Sequence, residues 1–234
     1  MSYVNSIINS IVILDVSNED VTKVINSLKH SSPGWDQMPA SIMKQCTKHY
    51  IKPLTHIIKK SFNEGVFPSE LKLARVVPIF KSGDSTQVTN YRPISVLTFF
   101  SKIFERIMYN YVSDFMDEYQ VIQKHQFGFR ESHSTQQAII CLIEKITKSL
   151  DTGDIVIGIF LDLKKAFDTV DHKILLKKLY AYGIRGNVLQ WFNSYLTDRS
   201  QYVTYDGIQS QTHHIKCGVP QGSILGPLLF IIYM

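Results

Sequence analysis

The sequence predicts a mixed α+β fold, and three observations support this prediction. Several stretches repeat apolar residues at helical spacing, and the run Leu73–Phe80 is rich in β-branched and aromatic residues. The run Ile155–Leu161 contains only apolar residues and glycine, without polar alternation, which is typical of a strand buried on both faces of a sheet. With 234 residues, 44% hydrophobic and 19% charged, the chain can form a sizeable core and is not expected to contain long disordered stretches.

Helices and further strands can be assigned in chain order. Residues 1–16 are interpreted as an N-terminal extension, which has apolar residues but neither the basic segment nor the cleavage site of a signal peptide. Ser17 is expected to begin the first helix because Asp20 stands where the reciprocal acid of a capping box belongs. Apolar patterning predicts the other helices: Ala40–His49, Lys52–Asn63, Ser95–Met116, Thr135–Leu150, Asp171–Tyr182, Asn187–Leu196 and Ile224–Met234. Two further strands, Ser200–Tyr205 and Gln209–Lys216, are joined by a turn at Asp206-Gly207.

Composition limits the class of partner and compartment. The chain has 25 Lys and Arg against 20 Asp and Glu, a formal charge of +5, which permits a polyanionic partner without requiring one. The three cysteines, Cys46, Cys141 and Cys217, are far apart and odd in number, so neither a disulfide framework nor a zinc site is indicated. We therefore expect an intracellular protein, in the nucleus or the cytoplasm. No apolar run approaches the length of about 18 residues that a membrane span needs, so no membrane partner is expected.

Three sets of polar residues are candidates for a functional site. Asp162 follows the apolar run directly, and a carboxylate there either binds a metal ion or caps the next helix. Lys81 and Arg92 flank a polar loop, where they form a basic hairpin or remain two solvated charges. The string Gln126-Phe127-Gly128-Phe129-Arg130 joins aromatic rings to an arginine, a combination suited to nucleotide stacking and phosphate binding, although aromatic pairs more often belong to a core.

Six motifs, in this order and spacing, together resemble one known family. The chain, from about Val21 to its last residue, resembles the reverse transcriptases of LINE-type (non-LTR) retrotransposons. The motifs are Gly34-Trp35-Asp36, Val77-Pro78-Ile79-Phe80-Lys81-Ser82-Gly83-Asp84, Asn90-Tyr91-Arg92-Pro93-Ile94-Ser95, Gln126-Phe127-Gly128-Phe129-Arg130, Phe160-Leu161-Asp162-Leu163-Lys164-Lys165-Ala166-Phe167-Asp168 and Gly218-Val219-Pro220-Gln221-Gly222-Ser223.

The resemblance implies a fold, an activity and its partners. The expected fold is a right-hand polymerase fold in which residues 17–234 supply interleaved fingers and an incomplete palm, with the thumb absent. The implied activity is RNA-directed DNA synthesis, with an RNA template, a DNA primer, deoxynucleoside triphosphates and two Mg²⁺ ions. Mg²⁺ prefers oxygen ligands, so carboxylates are suitable donors.

The resemblance also implies a role for each motif residue. Asp162 is the expected catalytic carboxylate and metal ligand, and the backbone carbonyl of Leu163 is an additional ligand. Lys81 and Arg92 match positions that contact the triphosphate, while Phe167 matches the ring that excludes a ribose 2′-hydroxyl. The remaining matches are Gln221 and Gly222, beside the nucleotide, and residues 126–130, on the template. Asp168 is expected to have a structural role.

The sequence departs from the family pattern in two places. Gln37 replaces the glycine that usually ends the first motif, which suggests a local change of loop conformation. No Asp-Asp pair is present, although the family carries two adjacent catalytic aspartates in its next motif. We therefore expect this chain alone to be inactive as a polymerase. The alternative is a non-catalytic nucleic-acid-binding relic. A viral RNA-dependent RNA polymerase is disfavoured by the combination of Ala166-Phe167-Asp168 with Gly218-Val219-Pro220-Gln221-Gly222, because such enzymes usually carry a polar residue near the gate.

Overall fold

The computed structural model describes residues 7–13 and 15–234. Residues 1–6 and 14 of the predicted N-terminal extension thus lie outside the described residues. Its described part packs against the folded chain: the amides of Ile7 and Ile11 donate hydrogen bonds to the carbonyls of Ala181 and Gly183, both at 3.0 Å. Arg185 adds hydrogen bonds to the carbonyl oxygens of this segment, including that of Ile8 at 2.9 Å.

The described chain combines helices with a small mixed sheet. The helices are α1 (Asn18–Ser27), α2 (Ala40–Gln45), α3 (Thr47–Glu64), α4 (Phe99–Glu118), α5 (Thr135–Asp151), α6 (His172–Ala181), α7 (Gly186–Leu196) and α8 (Leu225–Tyr233). The strands are β1 (Leu73–Phe80), β2 (Tyr91–Val96), β3 (Ser200–Tyr205), β4 (Ile208–Gln209) and β5 (His213–His214). The mixed helix and strand content predicted from the sequence is confirmed.

Helix starts follow the capping signals in the sequence. The Ser17–Asp20 capping box is present as predicted, and Ser134 and Gln137 form a second one at α5. The Asp171 side chain caps α6 by accepting a hydrogen bond from the amide of Ile174 at 3.0 Å. The helix predicted from Ser95 begins only at Phe99, because Thr98 is its N-cap and the preceding residues pair with β1.

The sheet has the strand order β2-β1-β3-β4, and β5 pairs with β3. Strands β1 and β2 are antiparallel neighbours in a hairpin, with Ile79 opposite Arg92. Strands β1 and β3 are parallel, with Leu73 opposite Ser200 and Val76 opposite Val203. The chain between them includes α4 to α7, so these helices lie within one long crossover connection.

The core is rich in aromatic residues contributed by α3, α4 and α7. The Trp191 and Tyr195 rings are stacked with centroids 5.6 Å apart, and Phe67 meets both edge-on at 5.3 and 5.1 Å. Trp191 also donates a hydrogen bond from Nε1 to Ser61 Oγ at 3.0 Å, which satisfies its buried N–H group. This core fixes α7 and therefore the start of β3, which follows it closely.

The prediction of a buried central strand at Ile155–Leu161 is wrong for the described structure. This segment has no regular secondary structure, and Ile155, Ile157 and Leu161 are 91%, 82% and 90% exposed. Among the described residues no strand pairs with it. Its side chains therefore remain in solvent, since a strand is buried on both faces only when other elements cover them. Helix α5, just before it, likewise has no buried residue.

None of the described helices is both long and apolar enough to cross a lipid bilayer.

Candidate nucleotide and nucleic-acid site

A cleft of about 1070 Å³ lies between the β1–β2–β3 sheet and the segment 162–168. Its wall on the sheet side includes Val76, Tyr91 and Tyr205, and the rings of the two tyrosines meet edge-on at 6.3 Å. The cleft brings together side chains from four separate sequence motifs, namely Lys81, Arg92, Asp162, Phe167, Asp168 and Gln221.

The β1–β2 hairpin carries the two basic residues. The amide of Lys81 donates to the carbonyl of Asn90 at 2.9 Å and so closes the hairpin just beyond the last strand pair. The loop between the strands is held by Asp84, which accepts hydrogen bonds from the backbone and side chain of Thr86 at 2.9 and 2.8 Å. These bonds hold the pKa of the Asp84 carboxyl below its usual value. Both cations are exposed at the cleft, where they can meet an anion.

Asp162 is exposed and lines the cleft, although it does not follow a strand as expected. Asp168 is the second carboxylate of the lining. Among residues 7–13 and 15–234, no group of three or more His, Cys, Asp or Glu side chains is arranged to hold a metal ion. The cleft thus offers hard oxygen donors of the type that Mg²⁺ prefers, but not a complete set of protein ligands.

Phe167 lies between the cleft and a small aromatic cluster. Its ring is 5.1 Å from that of Phe230 in α8 and 5.8 Å from that of Phe129. The Phe167 side chain is half-buried, so its packing against Phe230 and Phe129 limits the orientations that its ring can take in the cleft. This contact also brings one residue of the string 126–130 next to the cleft residues.

The loop Gly218–Ser223 is fastened to the segment that carries Phe167. The amide of Val219 donates to the Phe167 carbonyl, and that of Gly218 donates to the Val170 carbonyl, both at 2.8 Å. A Cβ atom on Gly218 would lie 2.9 Å from the Asp168 backbone, and its φ of 86° is in the left-handed region, so glycine is required there. In the middle of the loop, the Ser95 amide donates to the Gln221 carbonyl at 2.7 Å. The backbone of Gln221 is therefore fixed to β2.

Comparison with known proteins identifies the family. Residues 79–234 match the family model for reverse transcriptase (RNA-dependent DNA polymerase). The chain is 34% identical over 232 residues to a Drosophila melanogaster protein named as a probable RNA-directed DNA polymerase from transposon BS, covering 96% of this chain and 25% of that protein. It is 32% identical to the RNA-directed DNA polymerase from mobile element jockey of the same organism, covering 93% and 24%. The Pol polyprotein of retrotransposable element R2 from Popillia japonica is 23% identical over 92% of this chain and 29% of its own length.

The chain belongs to the reverse transcriptase family of LINE-type (non-LTR) retrotransposons. It spans about a quarter of the length of the curated relatives that it matches.

Within this reverse transcriptase domain, none of the residues 126–130 lines the cleft, although the Phe129 ring packs against Phe167. Gln126 donates from Nε2 to the carbonyl of Gly128 at 3.0 Å, and the Phe127 ring is 6.0 Å from His133. Arg130 forms an ion pair with Asp117 at 3.2 Å and does not line the cleft. Of the three basic residues expected to contact the triphosphate or the template, Lys81 and Arg92 thus line the cleft and Arg130 does not.

The first motif of the reverse transcriptase contacts the base of α4. A Cβ atom on Gly34 would lie 2.8 Å from the backbone of Thr98, the N-cap of α4, so only glycine fits there. Gln37 has a φ of 55°, in the left-handed region that glycine adopts most easily. Gln37 therefore carries a backbone strain that the family's usual glycine would avoid, and the changed loop conformation stays a prediction.

Sequence reasoning did not single out two buried charges near the cleft, Glu105 and Arg199. Glu105 is fully buried and Arg199 is 1% exposed. The available signal was position: Glu105 lies on the same helical stripe as Ser101, Met108 and Val112, which are also buried. A charged residue on the apolar face of a helix indicates a specific buried partner.

Proposed function

We propose that residues 17–234 form the fingers and an incomplete palm of a right-hand polymerase fold that binds a deoxynucleoside triphosphate and an RNA template with a DNA primer. The observation that carries this proposal is the meeting of Lys81, Arg92, Asp162, Phe167 and Gln221 in one cleft. The thumb and the remainder of the palm would lie outside these 234 residues.

In this proposal the hairpin cations bind the triphosphate. Arg92 can offer two parallel N–H donors to phosphate oxygens, and Lys81 adds a point charge nearby. Gln221 lines the cleft and Gly222 follows it in the same loop, so both are assigned to the sugar and base of the nucleotide. The Phe167 ring, fixed by Phe230, occupies the space that a 2′-hydroxyl would need.

Asp162 is the proposed catalytic carboxylate and, with the backbone carbonyl of Leu163, a ligand of Mg²⁺. In the complete enzyme, two Mg²⁺ ions stabilise the attacking and leaving oxygens of phosphoryl transfer. Asp162 suits this role because it is exposed at the cleft and carries hard oxygen donors. Asp168 is assigned a structural role in this proposal, and its backbone carbonyl accepts a hydrogen bond from Cys217 Sγ at 3.4 Å.

The residues Gln126, Phe127, Gly128, Phe129 and Arg130 are the proposed template contacts. Phe129 is 55% exposed and touches Phe167, so an unpaired base could stack on it next to the nucleotide. Arg130 would need to exchange its ion pair with Asp117 for a template phosphate. This exchange costs more than breaking an exposed ion pair, because the Arg130 side chain is only 19% exposed and its guanidinium also donates to the Gln123 carbonyl at 3.4 Å.

Equilibrium binding of dGTP with Mg²⁺ tests the proposed function. Arg92→Ala is expected to weaken dGTP binding about tenfold, because a charge-assisted contact to phosphate is lost, and Arg92→Lys should have an intermediate effect. Arg106→Ala is the matched control: it removes the same charge from α4, where the guanidinium lies over the Tyr109 ring. Equal losses in Arg92→Ala and Arg106→Ala would show that only net charge matters and would contradict the cleft assignment.

A second candidate, a non-catalytic nucleic-acid-binding relic, is favoured by one observation. The sequence contains no Asp-Asp pair that could complete the carboxylate set. Such a relic would bind RNA through its cationic cleft and its net charge of +5. Its affinity should fall steeply with salt, because phosphate contacts release counterions.

A further inference from the structure

A fully buried carboxylate, Glu105, lies on α4 behind the cleft. Burying a carboxylate is costly unless hydrogen bonds and nearby charge compensate. Burial raises the pKa of the Glu105 carboxyl, and the neighbouring Arg199 and the hydrogen bonds that it accepts oppose this shift. The groups that stabilise the buried carboxylate lie both in α4 and in other elements, so Glu105 links α4 to those elements.

The two oxygens of Glu105 have different partners. Oε2 accepts hydrogen bonds from the amides of Ile224 at 2.7 Å and Leu225 at 3.4 Å. Oε1 accepts from Ser101 Oγ at 3.3 Å and from the Tyr195 hydroxyl at 3.2 Å. The amides belong to the first residues of α8, so a carboxylate from a remote helix occupies the position of an N-terminal cap, where negative charge is favourable.

The start of α8 is also the end of the loop that presents Gln221. Inside the loop, Ser223 Oγ donates to the Pro220 carbonyl at 2.8 Å and accepts from the Gly226 amide at 2.9 Å. Ser95 holds the middle of the loop through the Gln221 carbonyl, as described above. Glu105 therefore fixes the end of the loop that neither Ser95 nor the segment carrying Phe167 reaches.

We propose that Glu105 is a positioning residue: its buried carboxylate holds the start of α8 and thereby keeps Gln221 in place at the nucleotide cleft. The link to nucleotide binding rests on the proposed function. The link between Glu105 and the loop does not, and it can be measured separately.

Hydrogen exchange of the whole 234-residue chain tests the hold on the loop. Glu105→Ala is expected to speed exchange of the Ile224 and Leu225 amides about tenfold, because a charge-assisted hydrogen bond is lost. Glu105→Gln should stay close to the unaltered chain, since its amide oxygen can accept from Ile224 while its NH₂ group donates to the hydroxyls of Tyr195 and Ser101. This rescue also provides a test if the alanine variant does not fold.

The matched control for a general loss of stability is Ser61→Ala. It removes the hydrogen bond that Trp191 donates and the one that Ser61 Oγ donates to the Val66 carbonyl, but none of the bonds to the Ile224 and Leu225 amides. Ser61→Ala should lower the melting temperature while Ile224 and Leu225 keep their protection. Equal loss of that protection in Ser61→Ala and Glu105→Ala, or unchanged exchange in Glu105→Ala, would overturn the proposal.

A double-mutant cycle in dGTP binding tests the link to the cleft. Glu105→Ala should weaken binding about fivefold in the unaltered chain and have almost no further effect in Gln221→Ala, because residues that act through one another are not additive. Additive losses would overturn the positioning role. Failure of the unaltered chain to bind dGTP would contradict the proposed function and remove the nucleotide role of Glu105, whereas the exchange results would still decide whether Glu105 holds the loop.

Discussion

At the scale of single residues, the site residues that could be predicted are those that belong to motifs in the order typical of the family. Lys81, Arg92, Asp162, Phe167 and Gln221 could be chosen from the sequence, and all of them line the cleft. Glu105 could not be chosen in this way, because its role depends on amides 119 positions away along the chain. In a sequence, a charge that becomes buried can be recognised only as a charged residue on a helix face whose other residues are apolar.

Substitution of Gln37 tests the effect of backbone strain at a single residue. Replacing Gln37, with its φ of 55°, by glycine should raise the free energy of unfolding by about 0.5–1 kcal/mol, because the left-handed strain exceeds the extra chain entropy of glycine. Chemical denaturation measures this change. The control is Gln87→Gly, where φ is −92° and glycine should be destabilising by about 0.5–1 kcal/mol. A loss of stability in Gln37→Gly would show that the glutamine side chain makes a compensating contact.

At the scale of elements, helix positions were predictable within a few residues because caps and apolar stripes are local signals. The strand β2 was missed because Pro93 and its polar neighbours resemble a loop. Proline is acceptable at position 93 because β2 is the edge strand of the sheet. The residue opposite it in β1, Pro78, lies beyond the part of β1 that pairs with β3. The strand at Ile155–Leu161 was predicted but not found, because burial depends on partners that the local sequence does not contain.

Substitution within the exposed apolar segment Ile155–Leu161 tests whether this segment causes the chain to associate. Ile157 is 82% exposed, so Ile157→Lys should change the free energy of unfolding by less than about 0.5 kcal/mol, while reducing aggregation and the binding of a hydrophobic dye. Light scattering and dye fluorescence measure these effects. Ile208→Lys, at a 76% exposed position on β4, is the control. An equal reduction in both variants would show that added charge, and not the segment, controls association; a loss of several kcal/mol would show that Ile157 is packed.

At the scale of the whole molecule, the 234 residues include the motif residues that we propose contact the nucleotide, and they contain no Asp-Asp pair. We expect no extension of a DNA primer on an RNA template by this chain with Mg²⁺ or Mn²⁺. A site made of Asp162 and one backbone carbonyl would hold Mg²⁺ weakly and in no fixed geometry, whereas rate depends on placing the reacting oxygens to within about an ångström. The control is Asp162→Ala. Extension by the unaltered chain that is lost in Asp162→Ala would contradict this expectation and point to carboxylates supplied from elsewhere.

The parallel pairing of β1 with β3 has a consequence for synthesis of the protein on the ribosome. The β1–β2 hairpin is local and can form within about 1–10 μs once Val96 has emerged. The other edge of β1 has no partner until Ser200–Val203 has been made. At about 5–20 residues per second, the nascent chain carries this open edge for several seconds. Helices α4 to α7 are synthesised during that interval. The unpaired edge of β1 must be kept from pairing with other chains until their synthesis is complete.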